Sequence, residues 1–192
     1  MSSDGLDVQS TGAWPDPPSD LVEAWGRSLE DRVRRARLRV VLLGAGGRGL
    51  VERRAVAGDL RRFGILAFIP EDHFPADISP SLAEEAILAT ADVDLVFLKV
   101  ESWGSATELG QLMGNRDVAR KLRVLVPPDH HPFHGGSEGY LSDLYLTHLA
   151  ASGHVYPVDG GRRVPVPSAP EVVVALSVRY RQVKAIQGVF IK

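Results

Sequence analysis

The sequence predicts an α/β domain built on a five-stranded, mainly parallel sheet, a flavodoxin-like or Rossmann-like three-layer sandwich. Three observations predict it. Short continuous apolar runs such as "LRVVLLG" and "DLVFLKV" have the character of strands buried on both faces. Helical patterns separate successive runs, which implies right-handed crossovers and helices on both sides of the sheet. Five such strands suit the order 2-1-3-4-5, in which ligands bind outside the carboxyl ends of the strands near the switch between strands one and three.

Residues 1–19, "MSSDGLDVQSTGAWPDPPS", are rich in Ser, Asp, Gly and Pro and are expected to form a disordered tail, with Trp14 as the one residue able to dock. Residues 20–192 are expected to form a single domain. A first helix runs from Asp20 to about Arg37, with Leu21, Val22, Trp25, Leu29 and Val33 on one stripe and a basic end, "RVRRARLR", suited to a helix C-terminus. Strand one (38–44) leads through "GAGGRG" into the helix "GLVERRAVAGDLRRF". Strand two is "GILAFIP" (64–70). The helix "SPSLAEEAILATA" has Ser79 or Ser81 available as N-cap. Strand three (94–100) is followed by the helix "SATELGQLMGN", closed by Gly114 and Asn115. Strand four, "KLRVLVP", is stopped by Pro127 and Pro128. The helix "GYLSDLYLTHLAAS" ends at Gly153 and precedes strand five, "HVYPV". Ser168 and Glu171 have capping-box spacing at the start of a last helix, whose stripe is Val172, Ala175, Leu176, Tyr180 and Val183.

Composition narrows the chemistry. The chain has 192 residues, 44% of them hydrophobic, enough for one domain with a real core. Its net charge of -2 gives no electrostatic reason to expect nucleic acid or an anionic membrane as partner. No apolar run reaches membrane-spanning length. With no cysteine, disulfides, thiolate metal sites and cysteine nucleophiles are excluded, which agrees with a cytoplasmic location. G-x-S-x-G, Walker and H-E-x-x-H motifs are absent, which removes serine hydrolases, P-loop NTPases and zincins.

The switch-point rule selects the loops to inspect. Gly44, Gly46 and Gly49 match G-x-G-x-x-G, with Glu71 or Asp72 where a ribose-binding acid would be sought. Gly44, Gly46, Gly47 and Arg48 are therefore candidates for holding a phosphate or sugar on backbone N–H groups, while a plain tight turn has the same pattern. Against a full dehydrogenase, Pro70 interrupts the acidic end of strand two and no second domain carries a substrate. The loop "PPDHHPFHGGSEGY" holds His130, His131 and His134 without a firm acidic partner, so no metal is expected there. Phe133 or Tyr140 in that loop, and Trp103 after strand three, could stack on a base; as surface or plug residues they would look the same. His73 and Phe74, after strand two, carry the same two readings.

The block "ADVDLVFLKVESWGSATELGQL" poses the sharpest question, because Glu108 follows an apolar strand and a small polar loop. An acid in a first helical turn would be ordinary. However, Asp94 before the strand, then Gly104, Ser105, Glu108 and Gly110, resemble the core pattern of the nucleoside 2-deoxyribosyltransferase-like N-glycosidases, which share a fold likeness with TIR-type NAD-cleaving domains. "VVLLGAGG" and "FGILAFIPEDHF" are similar to that family's first half, so the resemblance covers about residues 38 to 127. It implies that Glu108 is the catalytic carboxylate, meeting the positive charge that develops on the sugar as an N-glycosidic bond breaks. It implies supporting roles for Ser105, otherwise a good N-cap, and for Asp94, otherwise a strand start, with Gly104 leaving room for the sugar. A position near the helix start is expected to keep Glu108 ionised. The chain lacks the C-terminal Asn-containing segment of the transferases, so hydrolysis is expected over base exchange, and Trp103 lies one residue further from Glu108 than in the TIR pattern. Glu84 and Glu85 stand near the position of a further family acid.

The resemblance implies a nucleoside, nucleotide or NAD-like substrate and no cofactor. It also brings in the nucleotide-depleting effectors of bacterial antiviral defence. Such an effector would need a restraining protein partner, for which the basic helix end near Arg34 or the tail offers a contact; a homo-oligomer is the other partnership to consider. The competing class is a non-catalytic nucleotide- or dinucleotide-binding Rossmann-like module in which Glu108 is structural.

Overall fold

The apolar strand runs assemble as one sheet. In the computed structural model, which describes residue 16 and residues 18–135, 138–160 and 165–188, the strands are β1 (Arg39–Gly44), β2 (Leu66–Phe68), β3 (Leu95–Lys99), β4 (Leu122–Val126) and β5 (Val155–Pro157). They pair in the order β2-β1-β3-β4-β5, every pair parallel, as the sequence predicts. The helices are α1 (Ser19–Arg35), α2 (Arg48–Arg62), α3 (Pro70–His73), α4 (Pro80–Ala89), α5 (Trp103–Gly114), α6 (Arg116–Ala119), α7 (Tyr140–Ser152) and α8 (Ala169–Gln187). The expected tail, with Trp14, lies almost wholly outside the described residues.

The sheet is the middle of three layers because its side chains alternate between faces. Val41, Leu43, Val96, Leu98, Val124 and Val126 pack on one face with α4, α5 and α7 through Leu88, Leu109, Leu112 and Tyr145. Val40, Leu42, Leu95, Phe97 and Leu125 pack on the other with α2 and α8 through Val56, Leu60 and Val173. No described helix is long and apolar enough to cross a membrane.

Several elements differ from the expected ones. β2 is only three residues long, because Pro70 is a first-turn helix residue and opens α3 directly after Ile69. α5 begins two residues early: Ser102 rather than Ser105 is its N-cap. Ser79 holds the N-cap position of α4 but makes no side-chain cap bond. The expected caps at Gly153, in a left-handed conformation, and at the Ser168–Glu171 box are both present. No residue of α1 is buried: Leu21, Val22, Trp25 and Leu29 of its apolar stripe are exposed, and Val33 is half-buried.

The topology places the site. β1 and β3 are neighbours, yet their following helices leave toward opposite faces, so the chain parts at their carboxyl ends. Gly44 sits opposite Lys99 there. Its φ of +144°, and the 3.1 Å that would separate a Cβ from the Lys99 carbonyl oxygen, explain why the position is glycine.

Candidate active site

One cleft at this edge gathers carboxylates. The phase of α5 decides which of its residues enter it. Ser102 and Ser105 cap the helix reciprocally: the Ser105 backbone N–H donates to Ser102 Oγ at 3.2 Å, and the Ser102 N–H donates to Ser105 Oγ at 3.0 Å. The Glu101 N–H also donates to Ser105 Oγ at 3.0 Å. With that start fixed, Ser105, Ala106, Leu109 and Leu112 turn into the core. Gly104, Thr107, Glu108 and Gln111, spaced i, i+3, i+4 and i+7, then line the cleft. Glu84 enters from α4, Glu71 from α3 and Arg53 from α2, and Gly44 closes the end of β1. The cleft encloses about 880 Å³, open solvent at its mouth included, which is ample for a nucleoside-sized ligand.

Arg53 organises the floor. Its side chain is only 10% exposed and grips Glu71 through two bonds of 2.9 and 2.7 Å. The same guanidinium donates to the Leu42 carbonyl at 3.2 Å and the Ala45 carbonyl at 3.0 Å, tying the glycine loop to β1. Burial pushes the Glu71 carboxyl up, but the Arg53 bonds and charge outweigh it and hold the group below its ordinary value. Glu84 is raised by burial and by the Glu71 charge. Glu108 is raised to about 8, first by burial and then by the charge of Glu84, with a smaller rise from Glu71 and an opposing pull from Arg53 that ranks between the two.

This reverses the expectation that a helix start keeps Glu108 ionised. Glu108 is the sixth residue of α5, beyond the first turn in which the dipole acts. Half-buried among like charges, it holds a proton at neutral pH. A neutral carboxyl beside an ionised one is the arrangement that separates a proton donor from an anion.

The other sequence candidates are dispersed. Asp94 lies at the amino edge of the sheet, away from the cleft. It accepts from the Arg39 backbone N–H at 2.9 Å and from Lys184 Nζ at 2.6 Å, a structural role. Ser105 is 3% exposed and engaged in the cap, so its hydroxyl does not reach the cleft. Asp72 points to the surface and pairs with Arg54 at 2.6 Å. Trp103 and Tyr140 are 85% and 79% exposed and flank a separate cleft between α5 and α7, with His130 and Leu141. His131 is buried, and its ring bridges the Phe133 N–H and the Val155 carbonyl, which makes it a loop clamp.

The glycine loop also divides. Of its residues only Gly44 lines the carboxylate cleft, and Gly46 accepts a turn bond from the Gly49 N–H at 3.1 Å. Arg48 and Gly49 face a third cleft around Lys99, whose ammonium contacts Glu52 at 3.1 Å, Glu101 at 2.9 Å and Asp159 at 2.8 Å. Glu101 Oε2 would lie 3.3 Å from a Cβ at Gly49, so this chain's own carboxylate occupies the approach to the start of α2. A phosphate arriving there would meet three carboxylates beside the Lys99 ammonium and Arg48, an excess of one negative charge that disfavours a pyrophosphate seat.

No family model matches the chain, and no curated protein shows a significant match to it.

Sequence reasoning left out Arg53 and Lys99; it named Glu71 as an alternative to Asp72 for holding a ribose, and Glu84, with Glu85, as standing near the position of a family acid. Arg53 had a readable signal. It is a charge on the buried stripe of α2, in step with Val56, Ala57 and Leu60. A charge at such a position must find partners. Little local marks Lys99: Glu101 is two residues away, but its other partners, Glu52 and Asp159, come from distant segments.

Proposed function

We propose that the protein cleaves an N-glycosidic bond of a nucleoside, nucleotide or NAD-like molecule, with Glu108 as the group that acts at the sugar–base bond. The observation that carries this reading is the raised, half-buried Glu108 carboxyl in a cleft that it shares with Glu84 and Glu71. A cleft holding three carboxylates against one guanidinium favours positive charge, and positive charge is what develops on C1 of the sugar during departure of the base. In this reading the C1–N bond breaks with its electron pair going to the base nitrogen. Where the departing base is a neutral nucleoside base, Glu108 gives that nitrogen its proton. The resulting carboxylate, together with Glu84, then faces the sugar cation until water adds to C1 and returns a proton to Glu108. Arg53 acts at one remove by keeping Glu71 ionised and in place. Gly104, with no side chain, leaves the wall beside Glu108 open for the ring.

The resemblance in the Gly104–Gly110 block supports the same reaction independently of the electrostatics. A role in nucleotide depletion during antiviral defence, under restraint by a protein partner, follows from that resemblance. The test is direct: incubate the protein with separate nucleosides, nucleotides and NAD, and follow free base by chromatography. Release of base by the wild type and not by Glu108→Gln is the expected result. No release from any of them would overturn the proposal and leave the binding-module reading.

A further inference from the structure

Besides its charged groups, the carboxylate cleft is lined by three uncharged polar side chains, Ser81, Thr107 and Gln111. Thr107 is engaged by its own helix, its hydroxyl donating to the Trp103 carbonyl at 3.0 Å. Ser81 lies in the first turn of α4, with its hydroxyl 3.4 Å from that of Ser79. Gln111 carries the one side-chain amide among the described residues that line the cleft, and it is exposed.

The place of Gln111 along α5 sets what it can meet. Gly104, Glu108 and Gln111 follow one another down the cleft face of the helix, about 6 Å and then about 4.5 Å apart along its axis. Helical side chains lean toward the N-terminus, so the Gln111 amide is carried back over the turn that holds Glu108. A sugar beside Gly104, with its glycosidic bond at Glu108, sends its base along the wall that Gln111 lines.

We propose, resting on the cleavage reading above, that Gln111 reads the departing base and selects adenine. A primary amide donates from its NH2 and accepts at its oxygen, side by side; a carboxylate there would only accept and a guanidinium only donate. Adenine offers the complement, an amino donor next to a ring-nitrogen acceptor, on both edges that flank its amino group. Whichever of the two faces the wall, Gln111 pairs with it. Hypoxanthine sets a donor beside an acceptor on only one of its corresponding edges, and unsubstituted purine on neither. Gln111 touches the base and not the breaking bond, so it acts on the choice of substrate, while Glu108 acts on the reaction.

Base release by wild type and by Gln111→Met, with adenosine and purine riboside as substrates, tests this. Comparing the two proteins on one substrate cancels the different lability of the two bonds. Gln111→Met should lower kcat/KM for adenosine by roughly ten-fold, the worth of an exposed hydrogen-bonded pair. The loss should appear as a higher KM with kcat kept, because the contact is the same before and during bond breaking. Purine riboside should be cleaved equally well by both proteins. The variant should melt like wild type, because Gln111 is exposed. An equal loss on both substrates, or no loss on either, would overturn the proposal. Wild type that releases other bases but not adenine would overturn it too, and would leave the role of Glu108 standing. No base from any nucleoside, nucleotide or NAD would overturn it together with the cleavage reading.

Discussion

Replacing Glu108 with Gln should remove activity and, at alkaline pH, stabilise the fold. The Glu108 carboxyl titrates near 8 in the folded protein and at the ordinary 4.5 when exposed. Between those values the folded protein holds a proton that the unfolded chain has lost. Wild-type stability therefore falls as pH rises through that window and levels off above it. At 1.36 kcal/mol per pH unit the full interval sets an upper bound near ~5 kcal/mol. The cleft is open, and water can follow the charge in, so about 2 kcal/mol is the working figure. Gln keeps the shape of the neutral acid and cannot ionise. The variant should match wild type at pH 4.5 and melt higher above pH 8, by roughly 4–8 °C for a domain of this size. Base release should fall by on the order of a hundred-fold or more. Thermal melts of both proteins at the two pH values, with a chromatographic assay on the same samples, measure all of this. Equal melting differences at both pH values would refute the buried, neutral carboxyl. Full activity in the variant would refute its role in the reaction.

Other substitutions should separate the cleft's parts. Arg53→Met leaves Glu71 without its partner and frees the Leu42 and Ala45 carbonyls, and should cost about 3 kcal/mol, read as a lower denaturant midpoint. Glu84→Gln removes a charge that raises Glu108, so the alkaline limb of the pH–rate profile should move to lower pH; an unmoved limb would show that the two carboxyls are not coupled. Ser105→Ala breaks the α5 cap and should cost about 1 kcal/mol in melting experiments, with activity lowered only as far as Glu108 is displaced.

The sheet was legible because its strands are continuous apolar runs and its helices carry clear punctuation. Alternation predicted the parallel sheet, and the count of five strands suggested the flavodoxin-like order. The site was legible only in part. Glu108, Gly104 and Gly44 line one cleft, since a loop after a strand must lie at the carboxyl edge. Ser105 was misassigned because Ser102, three residues earlier, takes the cap and turns Ser105 inward. Asp94 was misassigned because one residue at a strand's start lies a whole strand length from its end. The charge state of Glu108 could not be read locally. It is set first by burial and then by the charges of Glu84, Arg53 and Glu71, on α4, α2 and α3, which the fold brings beside α5. Trp25 shows the opposite failure: its helical stripe is real, but periodicity does not say whether a stripe faces the core or the surface.

The stored proton makes the direction of the pH dependence report the kind of base that leaves. A neutral nucleoside base departs with an extra electron pair and needs a proton. For such a substrate the form with Glu108 protonated is the competent one, and the rate should fall as pH rises through about 8. A quaternary pyridinium, as in an NAD-like molecule, departs already neutral and needs no proton. For it the useful form of Glu108 is the carboxylate that faces the sugar cation, and the rate should rise through the same pH. Glu71 cannot blur the distinction, because Arg53 holds it ionised on both sides of the window. One protein assayed on both substrate types should therefore give opposite slopes with a shared midpoint near 8. Parallel slopes, or midpoints that differ between substrates, would mean that some group other than Glu108 controls the departing base.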